Sequence, residues 1–150
     1  MSAVSRWIAA WPGGAVIGVL NGTAREALHA RRTGEQTAHQ ISTATIIALL
    51  GAYFVALDRC WPLPTRADAL GAGAGWLALT TAFEFGFGHW VAHEEWSELL
   101  ADYDLSRGRL WSLVLAWTAL GPLAVHEART SLRRPPRRRR SPCRPWLRAA

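Results

Sequence analysis

The feature that most constrains this chain is an apolar stretch over residues 69–90 that carries one acidic side chain, Glu84. The stretch is about 22 residues long, which is what an α-helix needs to cross the hydrocarbon core of a bilayer. An ionisable group at that depth costs at least about 2.5 kcal/mol, so it faces a partner, a bundle interior or a water-filled pocket. The stretch therefore predicts a membrane helix with a polar site around Glu84.

Three further apolar segments repeat this pattern along the chain. Together the segments predict spans at about 7–28, 40–58, 69–90 and 110–126. Pro62 and Pro64 end the second span, and the loop that follows is short enough to require an antiparallel neighbour. We therefore expect an all-α fold, a four-helix transmembrane bundle within residues 1–127.

Details within the spans add three expectations. Trp7 and Trp11 are expected at the membrane interface, where the first span starts. Gly71-x-x-x-Gly75 is typical of helices that approach one another closely, and Gly121-Pro122 is expected to interrupt the last span.

The segment between the third and fourth spans is charged but periodic. Trp96, Leu99, Leu100 and Tyr103 recur at spacings of three and four, with acidic residues between them. This pattern predicts a short amphipathic interfacial helix over part of residues 94–104.

The chain divides into an apolar part and a basic tail. Half of its residues are hydrophobic, yet the mean hydropathy is only +0.04, because the two parts cancel in the average. All 17 basic residues are Arg, and the net charge of +6 comes mainly from residues 128–150. Repeated Pro and dense like charge predict that these residues form a disordered tail.

The tail also predicts orientation. Nine Arg between Arg129 and Arg148 place the C-terminus in the cytoplasm by the positive-inside rule, and four spans then place the N-terminus there too. The expected location is thus the cell inner membrane, crossed several times.

The same arginines are candidates for binding anionic lipid head groups, at about 1 kcal/mol for each Arg near the surface. A topology signal alone is the alternative. Nucleic-acid binding is not expected, because the charge has no folded module beside it. The lipid-binding candidates are Arg133, Arg134, Arg137, Arg138, Arg139 and Arg140.

The alternating direction of consecutive helices places one set of polar residues on the same side of the membrane. We predict that they form an outward-facing polar pocket around Glu84. Two roles are open for Glu84 itself: a structural ion pair with Arg25 or Arg109, or a functional group that carries a proton, binds a cation or contacts a substrate. The predicted pocket residues are Asn21, Arg25, Glu26, His39, Gln40, Glu84, His89, Asp102, Arg107 and Arg109.

His89 and His93 have the spacing that would put both imidazoles on one face of a helix. With a nearby carboxylate they could bind zinc or another divalent metal. Two ligands at helical spacing are a weak metal signal, so interfacial histidines without metal are favoured and no cofactor is expected.

These features leave three hypotheses for function. The first is a non-enzymatic membrane protein whose pocket binds a small polar solute, an ion or a partner, for instance as a transporter component. The second is a small membrane enzyme using a metal at His89 and His93. The third is a structural or assembly subunit in which Glu84 locks helices together. Four spans enclose little interior, so a homo-oligomer or another membrane protein is an expected partner.

Four segments of the sequence carry a resemblance to a known kind of protein. Small uncharacterised four-helix bacterial integral membrane proteins contain segments similar to NGTARE, AHQIST, FEFGFGH and the stretch from DYD to GRLW. The resemblance covers about residues 7–125. It implies a bundle in a bacterial inner membrane, and it implies no activity.

Overall fold

The computed structural model describes residues 1–25, 35–90, 93, 95–97 and 110–133. Those residues form helices and no strand, so the predicted all-α class is confirmed for them. Most of the predicted interfacial helix lies outside the described residues. The helices are α1 (Ala3–Ala9), α2 (Trp11–Ala24), α3 (Glu35–Cys60), α4 (Arg66–Trp90) and α5 (Trp111–Arg133).

The first predicted span is broken at Ala10, between α1 and α2. Pro12, in the first turn of α2, has no N–H and so cannot continue the hydrogen bonds of α1. Two carbonyls beside the break accept side-chain hydrogen bonds, from Trp76 Nε1 to Trp7 O and from Tyr53 Oη to Ala10 O, each 2.9 Å. These bonds tie the backbone at the break to α4 and α3.

The centre of the bundle is aromatic. Trp7, expected at the interface, is 0% exposed and packs on Phe54 with 5.8 Å between ring centroids. Phe54 in turn meets Trp76 edge to face at 4.9 Å. Trp7 Nε1 donates to Trp61 O at 2.9 Å, so its polar atom is satisfied inside the protein. Burial of Trp7 was not expected, because composition does not reveal which side of a helix end faces the core.

Helices α4 and α5 approach closely at Gly73, which is not one of the two glycines of the predicted Gly71-x-x-x-Gly75 motif. A Cβ on Gly73 would overlap the backbone carbonyl of Ala119, whereas the space beside Gly71 is open. Gly75 faces Ile8 of α1 instead. Close packing of α4 therefore depends on Gly73, and Gly71 and Gly75 do not act as a pair.

Helix α5 continues through Gly121 and Pro122 rather than stopping there. Pro122 lies inside the helix and is fully buried, and a Cβ on Gly121 would press within 2.5 Å of the Phe54 ring. The helix extends to Arg133, past the expected end at 126, so residues 128–133 are helical rather than part of a disordered tail.

Helix α4 begins earlier than expected, at Arg66 rather than at residue 69. Thr65 Oγ1 accepts from the Asp68 N–H at 3.1 Å, and Asp68 Oδ2 accepts from the Thr65 N–H at 3.2 Å. This reciprocal cap satisfies donors of the first turn.

In the part of the chain that the structure describes, two stretches are long and apolar enough to cross a membrane, judged by length and composition: Ala3–Ala24, with 22 residues, and Thr37–Cys60, with 24. In the most apolar 18 residues of each stretch, only 11% and 33% of the residues, respectively, are buried inside the protein. Most residues of these two stretches are therefore at least partly exposed.

Candidate functional site

A cavity of about 340 Å³ lies between α2, α3, α4 and α5. Its inner wall includes Leu50, Trp76 and Thr118, which are 4%, 1% and 2% exposed and come from three different helices. The cavity therefore reaches the centre of the bundle. Its volume falls within the range of about 300–1,000 Å³ that is typical of small-molecule sites.

Missing side chains on α2 create this space. Gly14, Gly18 and Gly22 recur at intervals of four and all line the cavity. A Cβ on Gly14 would meet the Trp76 ring, but nothing lies within 4 Å of the positions that a Cβ on Gly18 or Gly22 would occupy. The sequence analysis missed this stripe, although the Gly-x-x-x-Gly-x-x-x-Gly spacing was its signal.

Polar side chains of α2 and α3 meet at one end of the cavity. Asn21 Nδ2 donates to Ser42 Oγ at 2.7 Å and to the Ser42 carbonyl at 3.1 Å. Arg25 Nη1 lies 3.2 Å from His39 Nδ1. A guanidinium can only donate, so Nδ1 accepts and the proton of the neutral His39 ring is assigned to Nε2. We call Asn21, Arg25, His39 and Glu84 the polar end of the cavity.

Glu84, the member of this set on α4, is half-buried and lines the same cavity. Of the other predicted pocket residues, Gln40 is exposed and His89 lies in a different depression, and neither lines the cavity. Glu26, Asp102, Arg107 and Arg109 lie outside the described residues. The structure thus brings together four of the predicted residues from three helices.

The side of the cavity between α2 and α4 reaches the protein surface. Val19, Phe83 and Phe87 line the cavity while being 50%, 38% and 47% exposed. Phe83 stacks on Phe87 with 5.4 Å between centroids, and its ring also meets Trp11 edge to face at 5.7 Å. Aromatic side chains therefore border a lateral opening.

The two histidines proposed as metal ligands do not share a helical face. Helix α4 ends at Trp90, and His93 lies beyond it with a φ of 58°. His89 stacks on Trp96 with 4.3 Å between centroids, and both histidines line a surface depression with Glu95. Within the described residues, no group of three or more His, Cys, Asp or Glu side chains is placed to hold a metal ion.

A second polar cluster, which the sequence analysis did not predict, lies at the other end of the bundle. Asp58 is 4% exposed, and its Oδ2 lies 2.7 Å from Arg129 Nε. The Nε N–H is not aligned with the carboxylate, so the contact is an ion pair rather than a hydrogen bond. Leu63 O accepts from Arg129 Nη2 at 2.7 Å and lies 3.0 Å from His126 Nδ1. The cluster therefore ties the loop after α3 to the last turns of α5.

His126 Nδ1 has two neighbours that require opposite roles of it. It lies 3.0 Å from Leu63 O and 3.2 Å from Arg129 Nη2. An unprotonated Nδ1 would face the carbonyl lone pairs, so we assign it as a donor to Leu63 O. Arg129 then donates to the same carbonyl and only approaches the ring.

A more exposed ion pair flanks this cluster. Arg66 Nη2 donates to Glu127 Oε2 at 2.9 Å, and the two side chains are 73% and 40% exposed. The hydrogen bond and the negative charge of Glu127 raise the pKa of Arg66. Arg133, the first of the lipid-binding candidates, is exposed at the end of α5, and the other five lie outside the described residues.

Comparison of this chain with protein-family models, with curated proteins and with solved structures finds no match. The cavity and the apolar helix surfaces are therefore the observations from which a function is inferred.

Proposed function

We propose that the chain is a four-span inner-membrane protein whose cavity binds a small solute through the polar end around Glu84. One observation carries the proposal: a cavity of about 340 Å³ reaches the buried centre of the bundle, and charged and hydrogen-bonding groups of three helices line it. A concave, mostly apolar site with a few convergent polar groups is the usual form of a small-molecule site.

The outer surface supports placement in a membrane. Large apolar side chains are exposed on α2, α3 and α5, among them Val16, Leu20, Leu49, Leu113 and Leu120. Contiguous apolar surface is unfavourable in water and matches lipid. A helix in the core of a water-soluble protein would have most of its apolar residues buried, whereas these two stretches do not.

Helix length supports spans for α4 and α5 as well. With 25 and 23 residues, they extend about 37 Å and 34 Å at about 1.5 Å per residue, against about 30 Å of hydrocarbon. Both pack on α3 or α1 within one bundle. On the positive-inside rule, the Arg-rich end of α5 lies in the cytoplasm and the polar end of the cavity faces outward.

The polar end suits recognition because its groups are held by the fold. Ser42 fixes Asn21, and His39 contacts Arg25, so these side chains are positioned before a ligand arrives. Preorganised polar groups in a site shielded from water bind more strongly than the same groups in solution.

Mass spectrometry of small molecules that purify with the protein tests this function. We expect a bound molecule in the wild type and a marked loss in Gly22→Leu, because the new side chain fills the cavity. Gly71→Leu is the matched control, since its side chain also enters open space but lies away from the cavity. Equal amounts in all three proteins, or none in the wild type, would count against the proposal.

Glu84→Gln separates this role from the structural alternative. In a binding protein the change alters the amount of bound molecule and leaves the melting temperature nearly unchanged. If Glu84 instead locks helices together, the melting temperature falls, and a second substitution at its cationic partner restores part of it.

A further inference from the structure

We propose that the ligand of this cavity is a neutral amphiphile, with an uncharged polar head and an apolar body, that enters sideways from the bilayer between α2 and α4. This inference rests on the proposed function and names the class of molecule that the same cavity takes.

The cavity changes in polarity along its depth. Its inner part is lined by Ile46, Leu50, Trp76 and Val114, which are apolar and buried. Charged groups occur only at the polar end among the described lining residues. An occupant that satisfies both regions has an apolar body and one polar head.

The hydroxyls in the wall do not make the inner part polar. Thr118 Oγ1 donates to Leu115 O at 2.8 Å, and Thr80 Oγ1 accepts from Trp11 Nε1 at 3.1 Å. Each hydroxyl is thus already hydrogen-bonded within the protein, so the wall presents mainly carbon to an occupant.

The polar end favours a head without net charge. The formal charges of Arg25 and Glu84 have opposite signs, and the contact with Arg25 assigns His39 as a neutral ring. An anionic head would approach the Glu84 carboxylate, and a cationic head would approach the Arg25 guanidinium. In an uncharged head, a hydroxyl group can donate to Glu84, and a hydroxyl or carbonyl oxygen can accept from Arg25, without net repulsion.

The lateral opening supplies the route. Val19 of α2 and Phe83 and Phe87 of α4 are exposed on the outside and line the cavity on the inside. In a bilayer this surface meets lipid chains, so an amphiphile dissolved in the membrane reaches the cavity without crossing water. Gly18 leaves the passage open because it carries no side chain.

A helix from a second copy is the competing occupant, because stripes of glycine often pack against helices in membranes. The depth of the cavity argues against it. The space extends to Leu50 and Thr118 in the bundle centre, and a helix about 10–12 Å wide with its side chains does not fit between α2 and α4 without separating them.

Photolabelling of the full chain in phosphatidylcholine nanodiscs tests the inference. The probe is a monoacylglycerol with a diazirine in its chain, and the matched probes are a fatty acid and an alkyltrimethylammonium with the same chain. We expect the monoacylglycerol to label peptides that contain residues 18–22 or 83–87. Gly18→Leu should reduce that labelling about tenfold, and Gly71→Leu should leave it unchanged.

A second substitution that fills the cavity shows whether the loss of labelling with Gly18→Leu is caused only by a folding defect. Gly22→Leu should give the same loss, and each variant is compared at equal amounts of protein with wild-type melting behaviour. Excess unlabelled monoacylglycerol should remove the labelling in the wild type. Labelling that survives both filling variants comes from the outer surface and overturns the inference.

Failure of this inference is distinguishable from failure of the proposed function. If the charged probes label the cavity as strongly as the monoacylglycerol, the neutral class is wrong and solute binding stands. If no probe labels it while a water-soluble molecule still purifies with the wild type and is lost in Gly22→Leu, the amphiphile is excluded and the function stands. A disulfide between two copies of Val19→Cys that blocks labelling would establish the second-copy helix and overturn the inference.

Discussion

Arg129 Nε lies 2.7 Å from Asp58 Oδ2, which joins the last turns of α5 to the end of α3. Asp58 is almost fully buried, and the loop carbonyl of Leu63 accepts from the same Arg129 side chain. The two ends of the bundle thus differ in character: one is closed by an ion pair and a loop, and the other contains the cavity.

Removing Arg129 should destabilise the protein strongly. Arg129→Met leaves the Asp58 carboxylate buried without its cation, which costs about 3–5 kcal/mol in the free energy of unfolding. Adding Asp58→Asn should recover part of that loss, because no uncompensated charge then remains. Thermal unfolding in one detergent measures both effects.

The Arg66–Glu127 pair is the matched control for Arg129. It joins the start of α4 to α5, but both side chains are exposed, so solvent screens the charges. Arg66→Gln should change the melting temperature much less than Arg129→Met. Equal shifts for the two variants would contradict the structural role assigned to the buried pair.

Gly73 should tolerate no larger residue. In Gly73→Ala the new Cβ overlaps the Ala119 carbonyl, so α4 and α5 must separate, at a cost of about 1–3 kcal/mol in the free energy of unfolding. Gly71→Ala has open space beside it and should stabilise the helix by up to about 1 kcal/mol. Thermal unfolding measures both changes. A lower stability of Gly73→Ala together with a higher stability of Gly71→Ala would support this packing. A lower stability of Gly71→Ala would contradict it.

Tyr53→Phe should destabilise the folded protein, because it removes a hydrogen bond at the break between α1 and α2. It removes the side-chain donor to the Ala10 carbonyl, which retains its bond from the Gly13 N–H, with an expected loss of about 0.5–1.5 kcal/mol in the free energy of unfolding. Thr45→Val is a control, because the Thr45 hydroxyl bonds only to Ile41 O in its own helix. If both substitutions have the same effect on unfolding, the Tyr53 bond does not stabilise the break.

The orientation of the protein in the membrane can be tested by labelling the Cys60 thiol. Cys60 is exposed at the end of α3, and the proposed topology puts it on the cytoplasmic side. In a Cys143→Ser background, a membrane-impermeant maleimide should label Cys60 only after the membrane is opened. In a variant without native cysteines, Thr37→Cys at the other end of α3 should be labelled in intact cells. The reverse pattern would mean that the proposed orientation is inverted.

The sequence by itself determined the all-helical class and led to the prediction that polar residues of several helices share one side. Long apolar stretches bounded by Pro, Gly and charged residues specify helices locally, and short loops make consecutive helices antiparallel. That alternation alone predicted that Asn21, Arg25, His39 and Glu84 lie on the same side of the membrane. The structure places all four around one cavity.

Tertiary structure alone decided which faces meet. Helices α2, α3 and α4 have no pronounced apolar face, so hydrophobic periodicity gives no direction toward the core for them. For that reason the sequence did not reveal that Gly73 rather than Gly71 packs on α5. It also did not reveal that Asp58 pairs with Arg129, because two residues so far apart in the chain meet only when a loop and a helix end are packed together.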